Sequence, residues 1–124
     1  KVEALSSQLH GRLQARVADD VAGALQGVVG VVNGTPVGML PDRGMAVQDA
    51  LLHGGLWVAD AVYTPLWTPL LMAAKAKGAR VMTGRDLAVY QAADAFELFT
   101  GLKPPVDVIQ NAFDAAMASR YPAV

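Results

Sequence analysis

Asn33, Tyr63 and Gly84 each stand just past an apolar run, and their types are those of binding groups: an amide, a phenol and a bare backbone. The first run, Val28-Val29-Gly30-Val31-Val32, breaks into Asn33-Gly34-Thr35-Pro36-Val37-Gly38-Met39. The second, Trp57 to Val62, breaks into Tyr63-Thr64-Pro65. The third, Ala79 to Thr83, breaks into Gly84. In open α/β sheets ligands sit outside the carboxyl ends of the strands, which is where these residues would stand.

Each position has two readings. Asn33 and Gly34 either open a loop whose backbone and Thr35 hydroxyl line a ligand, or form a turn selected for positive φ. Tyr63 is either a ligand contact or an amphipathic ring at a sheet rim. Gly84 suits a tight strand-to-helix turn and a close backbone contact alike. Leu87 and Gln91 are four apart and share one helix face, where a glutamine is ordinarily solvated. Asp60 lies inside an apolar strand, and a structural acceptor for loop amides is preferred there to a catalytic base. His10 and His53 lack partners at metal-ligand spacing, so no metal site is expected. Trp57 and Trp67 read as packing residues. No Ser-His-Asp array or P-loop is present, and no residue is assigned a catalytic role.

The elements that must position these residues read as follows. Val2, Leu5 and Leu9 have helical spacing, ended by Gly11, and Leu13 to Val17 is a weak strand. Asp19 or Asp20 caps a helix closed by Gly27. Val28 to Val32 is rich in branched residues without alternation, as for a strand buried on both faces. Val47 to Leu52 reads as a short helix, and Trp57 to Val62 as a strand. Thr68, Pro69 and Gly78 mark the cap, first position and end of a helix, with Lys75 and Lys77 in its last turns. A strand over Arg80 to Met82 leads to a helix from Asp86 to Thr100, ended by Gly101. Pro104-Pro105 opens a last helix with the stripe Ile109, Phe113 and Met117. Alternating strands and helices imply a parallel sheet.

The 124 residues suit one globular domain, at 53% hydrophobic and 17% charged. A formal net charge of −1 gives no basic bias, so no nucleic-acid partner is expected. The chain has no cysteine. Its start reads as an amphipathic helix rather than a signal peptide, and no run is long enough for a membrane span, so the expected location is cytoplasmic.

Taken together, these segments resemble the C-terminal part of the shikimate dehydrogenase family, including its quinate/shikimate branch. The family carries Asn-Ala-Thr-Pro-x-Gly-Met, met here by Asn33 to Met39 with Gly34 in place of alanine. Its Val-Tyr-x-Pro-x-x-Thr-x-Leu-Leu is met by Val62, Tyr63, Pro65, Thr68, Leu70 and Leu71, with Thr64 where asparagine is common. Its Gln-Ala-x-x-Ala-Phe is met by Gln91 to Phe96. The pairing of these motifs argues against other Rossmann dehydrogenases, such as relatives of glutamyl-tRNA reductase.

The resemblance implies an α/β, Rossmann-like parallel sheet with flanking helices and added C-terminal helices. The sheet would be incomplete, lacking the first βαβ unit and its glycine-rich turn. Residues 1–124 would be the C-terminal part of a nicotinamide-dinucleotide-binding domain, about the last two-fifths of a family enzyme. NADP or NAD would be held by Asn33, Thr35, Val37, Met39, Ala61, Gly84 and Leu87. Ala61 stands where methionine or valine is frequent, and Leu87 where methionine is commoner. Tyr63 and Gln91 would contact shikimate or quinate. The implied reaction is hydride transfer in aromatic amino acid biosynthesis or quinate utilisation. The substrate domain with its lysine–aspartate pair would be missing, leaving these residues inactive alone. The alternative is a truncated, non-catalytic Rossmann-like module acting in protein interaction. If Gly84 serves the cofactor, Gly84→Val is expected to spare the fold and cost cofactor binding.

Overall fold

In the computed structural model the described residues are Ala4 and 16–121. Three strands, β1 (Gly30–Asn33), β2 (Trp57–Asp60) and β3 (Arg80–Met82), form a parallel sheet in the order β1-β2-β3. Helices α1 (Val21–Ala24), α2 (Pro69–Ala76), α3 (Gly84–Thr100) and α4 (Val106–Arg120) alternate with and follow them, with a 3₁₀ turn at Asp49–Leu51. This is the Rossmann-like α/β arrangement expected from the alternating pattern.

The register explains the core. Gly30 pairs with Trp57, Val31 with Val58 and Asn33 with Asp60, so Val31, Asn33, Val58 and Asp60 share one face. Helix α2 packs against β2 and β3 on that face through buried Leu70, Leu71 and Ala74. Val47, Leu52, Leu56, Val58 and Ala79 complete the cluster. The cap of α2 is as the residue types require: the Thr68 hydroxyl accepts from the Leu71 N–H at 3.3 Å, and Pro69 holds the first helical position. Lys75 lies 4.4 Å from the centre of the Trp67 ring, while Lys77 pairs with Asp49 at 3.0 Å. Trp57 is a packing residue, since its indole occupies the space a Cβ at Gly30 would need.

Several elements differ from their sequence reading. The helix expected over Val47 to Leu52 is a single 3₁₀ turn, because its ends Val47 and Leu52 turn inward to the core. Strand β2 stops at Asp60, where the carboxylate turns back to accept the N–H of Val62 at 2.9 Å. The first strand is not buried on both faces: Val29 and Val32 are 73% and 64% exposed. It is an outer strand of the described sheet, and Val32 points to the face opposite the one that α2 covers. Helix α3 starts two residues before Asp86, at Gly84, with Thr83 at its cap position. Arg16 and Val17 are not in a strand; the rest of the reading for Leu13 to Val17, and that for Val2 to Gly11, lies outside the described residues.

Helices α3 and α4 form a hairpin in which Ile109, Phe113 and Met117 are half-buried, the stripe read from their spacing. Gly101 ends α3 at φ 69°, a left-handed conformation that L side chains adopt at a cost. Gly34, by contrast, is not among the positive-φ glycines and has no atom within 4 Å of where a Cβ would stand. Gly101→Ala is therefore expected to lower stability by about 1–2 kcal/mol, and Gly34→Ala to leave it unchanged. Denaturant midpoints of the two variants check this, and equal losses would overturn the distinction.

Candidate functional site

The carboxyl ends of the three strands lie along one edge of the sheet, and one buried carboxylate ties that edge together. Asp60 is 1% exposed. Its Oδ1 accepts from the Asn33 side-chain amide at 3.0 Å and from the Val62 N–H at 2.9 Å. Its Oδ2 accepts from the Thr68 hydroxyl at 2.7 Å. A buried carboxylate needs such donors to offset lost hydration, and here they come from β1, the loop after β2 and the start of α2. Asp60 is thus a structural acceptor, as preferred from its place in an apolar strand.

Asn33 is equally committed. Its amide donates to Asp60 and to the Val37 carbonyl at 3.1 Å. Its carbonyl oxygen accepts from the Thr35 N–H at 3.1 Å and the Thr35 hydroxyl at 2.7 Å. The Thr35 hydroxyl in turn accepts from the Val37 N–H at 3.2 Å. Asn33, Thr35 and Val37 therefore form one hydrogen-bonded unit, and the asparagine serves its amide chemistry rather than a left-handed turn. Met39 follows with its N–H on the Pro36 carbonyl, and the Leu40 N–H joins this loop to the Thr64 carbonyl at 2.8 Å. Thr35 is exposed and, with Asn33, Val31 and Val32, borders a hollow of about 340 Å³ that reaches Asp19, Asp20 and Val21.

Ala61 lies beside this unit, its N–H on the Asn33 carbonyl at 2.9 Å. Gly84 lies against the same segment: a Cβ there would overlap the Val62 carbonyl and stand 2.7 Å from the Ala61 oxygen. Its φ is not positive, so the glycine is demanded by close approach rather than by a turn. This corrects the expectation that Gly84→Val spares the fold, because both obstructing oxygens are backbone and cannot swing aside.

Tyr63 is 44% exposed, and its ring makes a T-shaped contact with that of Phe113, the centroids 5.8 Å apart and the planes at 73°. Leu87 is half-buried and Gln91 exposed on α3, and no hydrogen bond joins either to the loops among the described residues. Beside Gly84, Arg85 donates two bonds to Asp114 of α4, Nε to Oδ1 at 2.6 Å and a terminal nitrogen to Oδ2 at 2.7 Å. This hydrogen bonding holds the Asp114 carboxyl below its ordinary range and raises Arg85. Sequence reasoning missed the Arg85–Asp114 pair and the seating of Phe113 on Tyr63. Neither pairing has a local spacing signal, since 29 residues separate Arg85 from Asp114. No group of three or more metal-ligating side chains occurs among the described residues.

A parallel sheet with open loops at its carboxyl edge and a helix starting hard against the last of them belongs to the Rossmann-like class of α/β folds. The sequence profile of the shikimate 5'-dehydrogenase C-terminal domain matches residues 84–112. A shikimate dehydrogenase (NADP(+)) of Streptomyces avermitilis is 46% identical over 94 residues, which are 76% of this chain and 32% of that protein. A quinate/shikimate dehydrogenase (NAD(+)) of Corynebacterium efficiens is 45% identical over 105 residues, covering 85% of this chain and 36% of that one. The structure of quinate dehydrogenase from Corynebacterium glutamicum in complex with NAD superposes with a TM-score of 0.83 at 36% identity, covering 92% of this chain and 41% of that one. The chain belongs to the shikimate dehydrogenase family. It spans about a third of the length of the curated relatives it matches.

Two variants test the edge. Asp60→Asn turns one acceptor into a donor facing Thr68 or Asn33, and unpaired buried groups of this kind cost about 1–3 kcal/mol each. A denaturant midpoint equal to that of the parent would show that the carboxylate is dispensable. Gly84→Ala is expected to displace the start of α3, seen as lost amide-exchange protection over residues 84–89. Retained protection there would contradict the close approach.

Proposed function

We propose that residues 1–124 are the C-terminal part of the nicotinamide-dinucleotide-binding domain of a shikimate or quinate/shikimate dehydrogenase. The observation that carries this reading is the Asn33–Asp60 lock, which holds a short loop open at the carboxyl edge of a parallel sheet in a chain closely similar to enzymes of those names. The residues suit a nicotinamide cofactor. Gly34 leaves open space, Thr35 is exposed, and Ala61 adds only a methyl group beside them, so a flat ring can approach the backbone closely. NADP or NAD, when bound, supplies the hydride chemistry.

On this reading the protein's part is positioning. Asn33 sets the loop through its saturated amide, and Thr35, Val37 and Met39 present that loop to the cofactor. Ala61, Gly84 and Leu87 border the nicotinamide. Tyr63 and Gln91 face the hydroxy acid, shikimate or quinate, on the opposite side. Asp60 is assigned a structural role, with both oxygens accepting hydrogen bonds within the fold. On the family resemblance, proton transfer is assigned to a lysine–aspartate pair on a domain that binds the hydroxy acid.

The full-length protein is expected to reduce or oxidise the cofactor with shikimate or quinate. In it, Gln91→Leu removes one substrate hydrogen bond, worth about 1–3 kcal/mol. KM for the hydroxy acid should rise about tenfold, with cofactor affinity little changed. Steady-state kinetics with both substrates varied decide this. A weakened cofactor with an unchanged hydroxy-acid KM would assign Gln91 to the wrong ligand, and no turnover by the full-length protein would overturn the reading itself.

A further inference from the structure

The phenol ring of Tyr63 lies beyond the end of β2, nearly half exposed, and makes a T-shaped contact with the ring of Phe113. Phe113 sits on α4, which packs on α3 and carries no strand contact of comparable extent. Met117 and Ala118 of α4 also border the loop Thr64 to Trp67 across a hollow, so the placement of α4 along α3 bears on the Tyr63–Phe113 contact. The apolar stripe of α4 is half-buried and could slide, because ridge-and-groove packing tolerates scatter. A two-bond fork does not slide.

Arg85 and Asp114 form that fork, with parallel bonds of 2.6 and 2.7 Å. Such bidentate geometry constrains rotation as well as distance. Its two ends are placed tellingly. Arg85 follows Gly84, whose backbone is wedged against the carbonyls of Ala61 and Val62, so its base is rigid. Asp114 follows Phe113 directly. The fork thus runs from Arg85, next to the glycine that packs on the segment before Tyr63, to the residue that follows Phe113.

We propose that Arg85 and Asp114 are positioning residues: their ion pair clamps α4 to the start of α3 and so holds Phe113 against Tyr63, orienting the phenol towards the hydroxy acid. The part concerning the hydroxy acid rests on the function proposed above. Exposed ion pairs contribute little to global stability, so the clamp should act on geometry more than on the thermal midpoint.

The test uses the full-length protein with Asp114→Ala, Arg85→Ala, the double variant and Asp114→Glu. Asp49→Ala, which removes the exposed pair with Lys77 at the far end of α2, is the control. The first readout is the nuclear Overhauser contact between the Tyr63 and Phe113 rings, which needs no activity. It should be lost in both single variants, no more so in the double, and kept in Asp114→Glu and Asp49→Ala. The second is kinetic. A misplaced contact group costs up to about a hundredfold, and here the hydroxy-acid KM should rise about tenfold with cofactor KM unchanged. Asp114→Glu should restore it.

A ring contact that survives in Asp114→Ala overturns the clamp, as does a double variant worse than either single one. A lost contact with an unchanged hydroxy-acid KM upholds the clamp and overturns the role of Tyr63 towards substrate. Loss of both readouts in Asp49→Ala would make the effect one of general loosening and overturn the proposal.

Discussion

The structure depends on one buried carboxylate. Asp60 sits on the core face of the central strand, where an ionised group is tolerated only with its acceptor sites filled. The donors that fill them belong to three separate elements: Asn33 from β1, Val62 from the loop after β2 and Thr68 at the start of α2. Satisfying this one charge therefore fixes the register of β1 on β2, the exit path of β2 and the entry of α2. Because Asn33 spends its remaining hydrogen-bonding capacity on Thr35 and Val37, the same carboxylate also shapes the first ligand-side loop at one remove. A fully satisfied buried network of this kind specifies a single arrangement, since every partial alternative leaves a polar group unpaired.

Close backbone approach is the second constraint. The start of α3 is pressed onto the carbonyls of Ala61 and Val62, and only a residue without a Cβ permits it. This brings the third strand end to the other two and gives the edge its small, flat character. Around it the side chains are short: Gly34, Thr35, Ala61 and Gly84. Such an edge offers backbone and hydroxyl groups to a ligand, with the Tyr63 phenol and the carboxylates of Asp19 and Asp20 at its border.

The helical hairpin brings distant sequence to this edge. Helix α4 lies late in the chain, yet Phe113 meets Tyr63 and Asp114 meets Arg85. The hairpin is thereby coupled to Tyr63, beyond the end of β2. Its far end, with Leu98, Phe99 and Leu102 exposed, is free of these constraints among the described residues.

Local chemistry determined much of this by itself. The Thr68–Pro69 start of α2, the Gly101 stop of α3, the apolar stripe of α4 and the parallel class of the sheet all follow from rules acting within a few residues, and the motifs around Asn33, Tyr63 and Gln91 carry the family likeness. Tertiary structure alone decided the rest. Val32 has the type of a buried strand residue, but its exposure depends on whether another element lies over β1. The helix read over Val47 to Leu52 gave way to a single turn because both ends are drawn into the core. Gly84 reads equally as a turn or a contact, and only the position of the Ala61 and Val62 carbonyls tells them apart. Asp60 shows the division most plainly. Its burial follows from its apolar neighbours, whereas its three donors come from 27 residues before it to 8 after it, a convergence that only folding brings about.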